Sequence, residues 1–173
     1  YTHSKGVYDL LSAWKRVVRR TDKDVHLTMI GSGDERGRVV EFADYAEVPN
    51  ITIRGPVPYD DVPLIFDGAD LAVLPSIPVP HWQEQYGRVI LEAQASGTAV
   101  AASETGGIPD AMGGVGALFQ PAEPLAIAQT LEELLQDDKR REAIGARGRA
   151  RIEAERTVDD TASGIEAAYD AVL

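Results

Sequence analysis

From Gly6 onward the apolar positions fall at helical spacing. Val7, Leu10, Leu11, Trp14, Val17 and Val18 share one face, while Arg16, Arg19 and Arg20 fall off it near the C-terminal end, where the helix dipole favours positive charge. This helix is expected to end about Thr21. The period then changes. Val25–Ile30 (VHLTMI) is short, apolar and β-branched, so it reads as a buried strand. It runs into Gly31-Ser32-Gly33-Asp34 and a helix over about Glu35–Ala46. Asn50–Arg54 (NITIR) reads as a second strand closed by Gly55-Pro56, with a short helix from about Tyr59 to Phe66 behind it. Asp70–Leu74 (DLAVL) is a third strand, ended by Pro75-Ser76. A proline-rich loop (PSIPVPHWQ) leads to a helix that starts at Tyr86-Gly87 and stops at Gly97. A fourth strand, Thr98–Ala102 (TAVAA), a short helix between Gly106-Gly107 and Gly113-Gly114, and a fifth strand, Gly116–Gln120 (GALFQ), follow. The strands then cease. Leu125–Gln136 is helical with Ile127, Leu131, Leu134 and Leu135 inward, and a charged helix covers about Lys139–Arg156. Thr157 caps a last helix carrying Val158, Ala162, Ile165, Ala168 and Val172.

Strands alternating with helices across short loops predict an α/β fold: a Rossmann-like, doubly wound parallel sheet flanked by helices. Ligands of such sheets bind beyond the C-terminal ends of the strands. The loops after Ile30, Arg54, Leu74 and Ala102 open on that edge, as does the turn before Gly6. The densest chemistry on it lies in His81–Val100. Glu84 sits in the proline-rich loop, and Glu92 follows after seven intervening residues, in the next helix. Between them the helix N-terminus offers unpaired N–H groups and the positive end of its dipole, which suit an anion such as phosphate.

Composition narrows the classes. The 173 residues fit one domain, and a hydrophobic content of 44% is that of a globular chain. No apolar run approaches the roughly 20 residues that span a bilayer. With no cysteine there is neither disulfide nor thiolate metal site, which suits a cytoplasmic setting. The net charge of −11 argues against nucleic acid. It does not argue against phosphate, because a few backbone N–H groups and one lysine hold a diphosphate locally. No carboxylate cluster resembles a divalent-ion site, so no metal is expected. His3, His26 and His81 lack metal spacing; His26 reads as structural and His81 borders the site. Trp82 and Tyr86 read as loop anchors. The basic run KRREAIGARGRARIEAER reads as a solvated helix face, its interspersed Glu residues weakening any membrane-surface role.

These pieces, in this order, form a pattern: Lys5-Gly6 before a helix, Gly31-Ser32-Gly33 after a strand, Arg54-Gly55 after the next, Pro75-Ser76 after the third, then EQYGRVILEAQASGTAV and SETGGIPD. The chain resembles the C-terminal, donor-binding domain of retaining family-4 glycosyltransferases, the C-terminal half of a GT-B fold. Gln85 and Tyr86 stand where that family commonly has Pro and Phe. The resemblance implies a nucleotide diphosphate sugar as donor substrate and no cofactor. It implies Lys5 as the group neutralising the diphosphate and Glu84 as the carboxylate meeting the sugar hydroxyls. Backbone N–H groups around Gln85, Tyr86, Gly87 and Arg88 would meet sugar and diphosphate, Val89 would pack near the ribose, and Glu92 would accept from the ribose hydroxyls. Arg54 and Gly55 would border the base, and Gly31 and Gly33 would shape the adjoining loop. In that family a strand and an Arg precede the position of Tyr1. The chain is therefore expected to be a fragment of a longer protein, or to have its missing strand supplied otherwise. The partner implied is an N-terminal acceptor-binding domain of the same protein, without which the fragment is expected to turn over nothing. A cytoplasmic location, at the inner membrane face, goes with it. Two other readings stay open: a nucleotide-sugar-binding module without transferase activity, and a GT-B sugar-nucleotide epimerase. A glycosidase pair is disfavoured, because Glu92 is expected two turns inside a helix whose N-terminus suits phosphate. Base, sugar and acceptor are not legible.

Overall fold

The computed structural model describes residues 1–171. The first helix forms as α1 (Val7–Arg20), with Val7, Leu10, Leu11, Ala13, Trp14 and Val17 buried. Val18 packs half-buried at the margin of that face. Arg16 and Arg20 each come within 3.4 Å of Glu132 on a later helix, so the basic flank of α1 is an inter-helix seam. Thereafter come β1 (Leu27–Ile30), α2 (Arg36–Tyr45), β2 (Ile51–Arg54), a 3-10 turn at Tyr59–Asp61, α3 (Val62–Asp67) and β3 (Leu71–Leu74). Then follow α4 (Arg88–Ala95), β4 (Ala99–Ser103), α5 (Ile108–Met112), β5 (Ala117–Phe119), α6 (Pro124–Gln136), α7 (Asp138–Glu155) and α8 (Val158–Asp170).

All pairings are parallel, and they form two sheets: β1 with β2, and β3-β4-β5. Where the pattern predicts one sheet, the structure has a division between β1 and β3. Leu27 of β1 and Leu71 and Val73 of β3 nevertheless pack against one hydrophobic cluster, built from Leu10, Ala13, Trp14 and Val17 of α1 together with residues of β4, β5 and α6. The division explains why Val25–Ile30 is less enclosed than a strand buried on both faces: Thr28 is exposed and only Val25 and Met29 are buried. β4 is the reverse, buried at all five positions. Successive side chains of a strand point to opposite faces. Ala101 accordingly joins the α1–α6 layer, while Val100 and Ala102 join Ile90 and Ala93 of α4 and Ile108 and Met112 of α5. Helices thus cover both faces of this sheet, the doubly wound arrangement.

One expectation needs correction. The basic run on α7 is not simply a solvated face. The Arg141 side chain is only 12% exposed and donates to the carbonyls of Leu134 (2.7 Å) and Leu135 (3.0 Å), the orphan acceptors at the end of α6. Arg151 donates to buried Gln94 (2.8 Å) and to the Ala111 carbonyl (3.0 Å), and Gln94 donates onward to Met112 and Val115. These two arginines fasten α7 to the ends of other elements, which a local charge pattern does not reveal. Thr157 caps α8 as expected, in a reciprocal box with Asp160. Ile165 and Tyr169 on this helix are 54% and 69% exposed. The Val158 side chain and Val172 lie outside the described residues.

Candidate functional site

Parallel pairing puts the loops after β1 and β2 on one edge of their sheet and those after β3 and β4 on one edge of theirs. Residues 1–5 tie the two edges together. Tyr1 is buried, and its hydroxyl lies 2.7 Å from the carbonyls of both Met29 and Arg54, at the ends of β1 and β2. It has one proton to give, so it donates to one at a time. Burial pushes the phenol above its ordinary value, outweighing the downward pull of Arg36 and of the Arg54 backbone. Three residues on, the Ser4 carbonyl accepts from the Ile77 N–H at 2.9 Å, in the loop after β3. The sequence pattern did not single out Tyr1; a lone aromatic at a chain end carries no periodic signal.

Two glycines bring the loops into register by backbone contact. Gly6, at φ +63°, starts α1 and lies so close to the Pro75 carbonyl that a Cβ has no room. Gly107 donates to the Glu84 carbonyl at 2.9 Å, and a Cβ there would run into the carbonyl of Gln85. The TGG segment before α5 is therefore pressed against the Glu84-Gln85 backbone. The Lys5-Gly6 turn is pressed in the same way against Pro75-Ser76.

The result is a cluster. Lys5 Nζ lies 2.5 Å from Glu84 Oε2, a separation of 79 residues in sequence. Ser76, wholly buried, donates its hydroxyl to the same oxygen at 3.2 Å. Lys5 Nζ also sits 4.9 Å from the centre of the Trp82 ring, within cation–π range. Trp82 is held by paired backbone bonds with Val79 (2.9 and 3.0 Å) across a tight turn at Pro80-His81, where His81 takes a left-handed φ of +69°. Beside it lies an open cavity of about 650 Å³ with His81, Trp82, Glu84, Gln85 and Gly107 on its wall. Glu84 Oε1 accepts no hydrogen bond among the described residues and is not buried, so it remains open to a donor.

Gly87, buried and at φ +68°, is the N-cap of α4, and the N–H groups of Tyr86 to Val89 find no acceptor among the described residues. Tyr86, Arg88 and Val89 are exposed at this end. Because the helix begins at Arg88, Glu92 is its fifth residue, about one turn in rather than the two expected. Glu92 is half-buried, and no contact joins it to the Lys5–Glu84 cluster among the described residues. Arg54 is exposed at the end of β2 and Gly55 follows it with nothing near its absent side chain. Gly31 likewise faces open space, whereas Gly33 lies against the Tyr1 backbone. Ser76 belongs to the cluster although its sequence signal was only a serine after a strand end.

A parallel α/β fold with helices on both faces of its larger sheet defines a Rossmann-like domain, and its lysine–carboxylate pair precedes a helix N-terminus. Comparison with known proteins makes this specific. The model of the family described as "Glycosyl transferases group 1" matches residues 1–151, and the chain belongs to that family. It is 34% identical over 150 residues to a D-inositol 3-phosphate glycosyltransferase of Corynebacterium kroppenstedtii, covering 82% of this chain and 32% of that protein. It is 31% identical over 161 residues to the glycogen synthase of Mycobacterium tuberculosis, covering 91% and 36%. The chain thus spans about a third of the length of these curated relatives. Among solved structures, a glycosyltransferase from Rickettsia africae superposes with a TM-score of 0.86 at 20% identity, over 99% of this chain and 45% of that one. HepE from Anabaena, solved in complex with UDP and glucose, gives 0.82 at 20% identity over 99% and 46%. The fold is that of the C-terminal half of the GT-B glycosyltransferases. Among the described residues no helix is long and apolar enough to cross a membrane.

Proposed function

We propose that this chain is the donor-binding domain of a glycosyltransferase that moves a sugar from a nucleotide diphosphate sugar to an acceptor with retention of configuration. The observation that carries the reading is the Lys5–Glu84 pair beside the open N-terminus of α4. Lys5 and the N–H groups of Tyr86 to Val89 supply positive potential where a diphosphate leaves, and stabilising that departing charge is the main electrostatic demand of the reaction. Glu84, with Oε1 open, accepts from hydroxyls of the donor sugar. Glu92, one turn into α4, accepts from the ribose diol, two O–H donors matching two carboxylate oxygens. Gln85 and Val89 line the sugar and ribose side. Arg54 and Gly55 border the base, with Gly31 and Gly33 shaping the loop beside them. HepE was solved with UDP-glucose, which supports this ligand class.

The acceptor belongs to a preceding domain of the same protein, in keeping with the third of the relatives' length spanned here. A strand from the same source fits between β1 and β3, joining the two sheets, whose Leu27, Leu71 and Val73 already share one hydrophobic cluster. A cytoplasmic location, at the inner membrane face, belongs to the same proposal and is supported by the cysteine-free sequence. Titration calorimetry with UDP-glucose, GDP-mannose and ADP-glucose tests the reading. One of them binds the chain, and Glu92→Ala weakens that binding about tenfold or more, the loss of hydrogen bonds to a charged acceptor. If none binds better to wild type than to the variant, the assignment is wrong.

A further inference from the structure

The proposed function asks two things of Lys5 at once. It is to neutralise a diphosphate, yet it stands 2.5 Å from Glu84 Oε2. An ammonium between one carboxylate charge and a diphosphate is drawn toward the larger charge, and the side chain is free to go: Lys5 is 43% exposed against 14% for Glu84. Once Lys5 turns away, Glu84 is a largely enclosed carboxylate that has lost its ionic partner. Something else has to hold it, or it rotates out toward water and no longer meets the sugar.

Resting on the donor-binding reading above, we propose that Ser76 is the positioning residue of this site, holding Glu84 by Oε2 so that Oε1 stays aimed at the donor sugar while Lys5 serves the diphosphate. Ser76 is fully buried, with its hydroxyl 3.2 Å from Oε2. Its own backbone does not yield easily. It directly follows Pro75, whose carbonyl abuts Gly6, and precedes Ile77, bonded to Ser4 at 2.9 Å. A short side chain on a pinned backbone keeps its place when the long Lys5 side chain moves. Trp82 completes the division: its ring, 4.9 Å from Lys5 Nζ, keeps the ammonium near the site in either position. Sugar recognition and diphosphate recognition are then separable, the first running through Ser76 and the second not.

Ser76→Ala removes only the hydroxyl and leaves no larger group to fit, so the fold is expected to survive. Calorimetry compares UDP with UDP-glucose, and GDP with GDP-mannose, on wild type and variant. The expected result is a nucleoside diphosphate affinity within about twofold of wild type and a sugar-nucleotide affinity lowered about 10- to 100-fold, as for one lost hydrogen bond to a charged acceptor. Ser76→Thr, which keeps the hydroxyl, restores the ratio if its methyl group is accommodated; the alanine result stands without it. An equal fall for nucleoside diphosphate and sugar nucleotide shows a merely structural serine and overturns the proposal, as does an unchanged ratio. If wild type binds none of these ligands, the donor-binding reading itself fails and this proposal falls with it.

Discussion

Gly107→Ala tests whether the site is set by backbone contact. Gly107 has φ −84° and ψ 3°, a conformation that alanine adopts without strain, so any effect comes from what the new methyl group meets. It meets the carbonyl oxygen of Gln85 at a separation that no real contact shows. That atom is backbone, so no side chain can swing aside, and one of the two loops must shift. Relief of such overpacking costs about 1–3 kcal/mol. The shift also breaks the 2.9 Å bond from Gly107 N–H to the Glu84 carbonyl, worth about 0.5–1.5 kcal/mol. Together the loss is about 2–4 kcal/mol. With a urea m-value of about 2 kcal/mol/M, the denaturation midpoint falls by about 1–2 M at unchanged m. Gly55→Ala is the matched control, because nothing lies within 4 Å of its Cβ position and its φ is outside the left-handed region. It is expected to be neutral, or stabilising by about 0.4–1 kcal/mol through the unfolded chain. A Gly107→Ala protein within about 0.5 kcal/mol of wild type, or a Gly55→Ala protein destabilised as much as its counterpart, refutes the reasoning.

Three further outcomes are expected. Lys5→Met weakens nucleoside diphosphate binding about 10- to 100-fold in calorimetry at low salt, and the gap to wild type narrows as salt is raised. Leu131→Ala, at a fully enclosed position of α6, lowers stability by about 2–5 kcal/mol in urea denaturation with little change in ligand affinity once folded. Asp138 is held below its ordinary 3.8, first by its hydrogen bond to Lys23 and then by that to Arg141. A lowered folded value contributes stability that is present above about pH 4 and lost as pH falls through the folded value. Wild type is therefore more stable than Asp138→Asn at pH 6, and the two converge toward pH 3. A difference that does not vary with pH in urea midpoints contradicts this account.

What the sequence pattern conveyed, and what it withheld, divides along a physical line. α1 was legible because six apolar residues repeat at one period, and β4 because a short apolar run sits between Gly97 and the Gly106-Gly107 turn. The separation of β1 from β3 was not, since pairing depends on neighbours that periodicity does not name. Arg141 and Arg151 were misread because their acceptors, the Leu134 and Ala111 carbonyls, lie on other elements. Glu92 lies about one turn into α4 rather than two, in part because Gly87 turns left-handed and delays the helix by one or two residues, to Arg88. The site followed the same rule. Topology put Lys5 and Glu84 on one edge, but it did not show them sharing an oxygen with Ser76. That sharing depends on Gly6 against Pro75 and Gly107 against Gln85, contacts of main chain with main chain. Hence the chemical and architectural roles fall on different residues. In the proposed mode Lys5 and Glu84 meet the donor and Ser76 positions Glu84. Gly6 and Gly107 touch no ligand in the proposed mode, yet substituting either displaces the whole cluster.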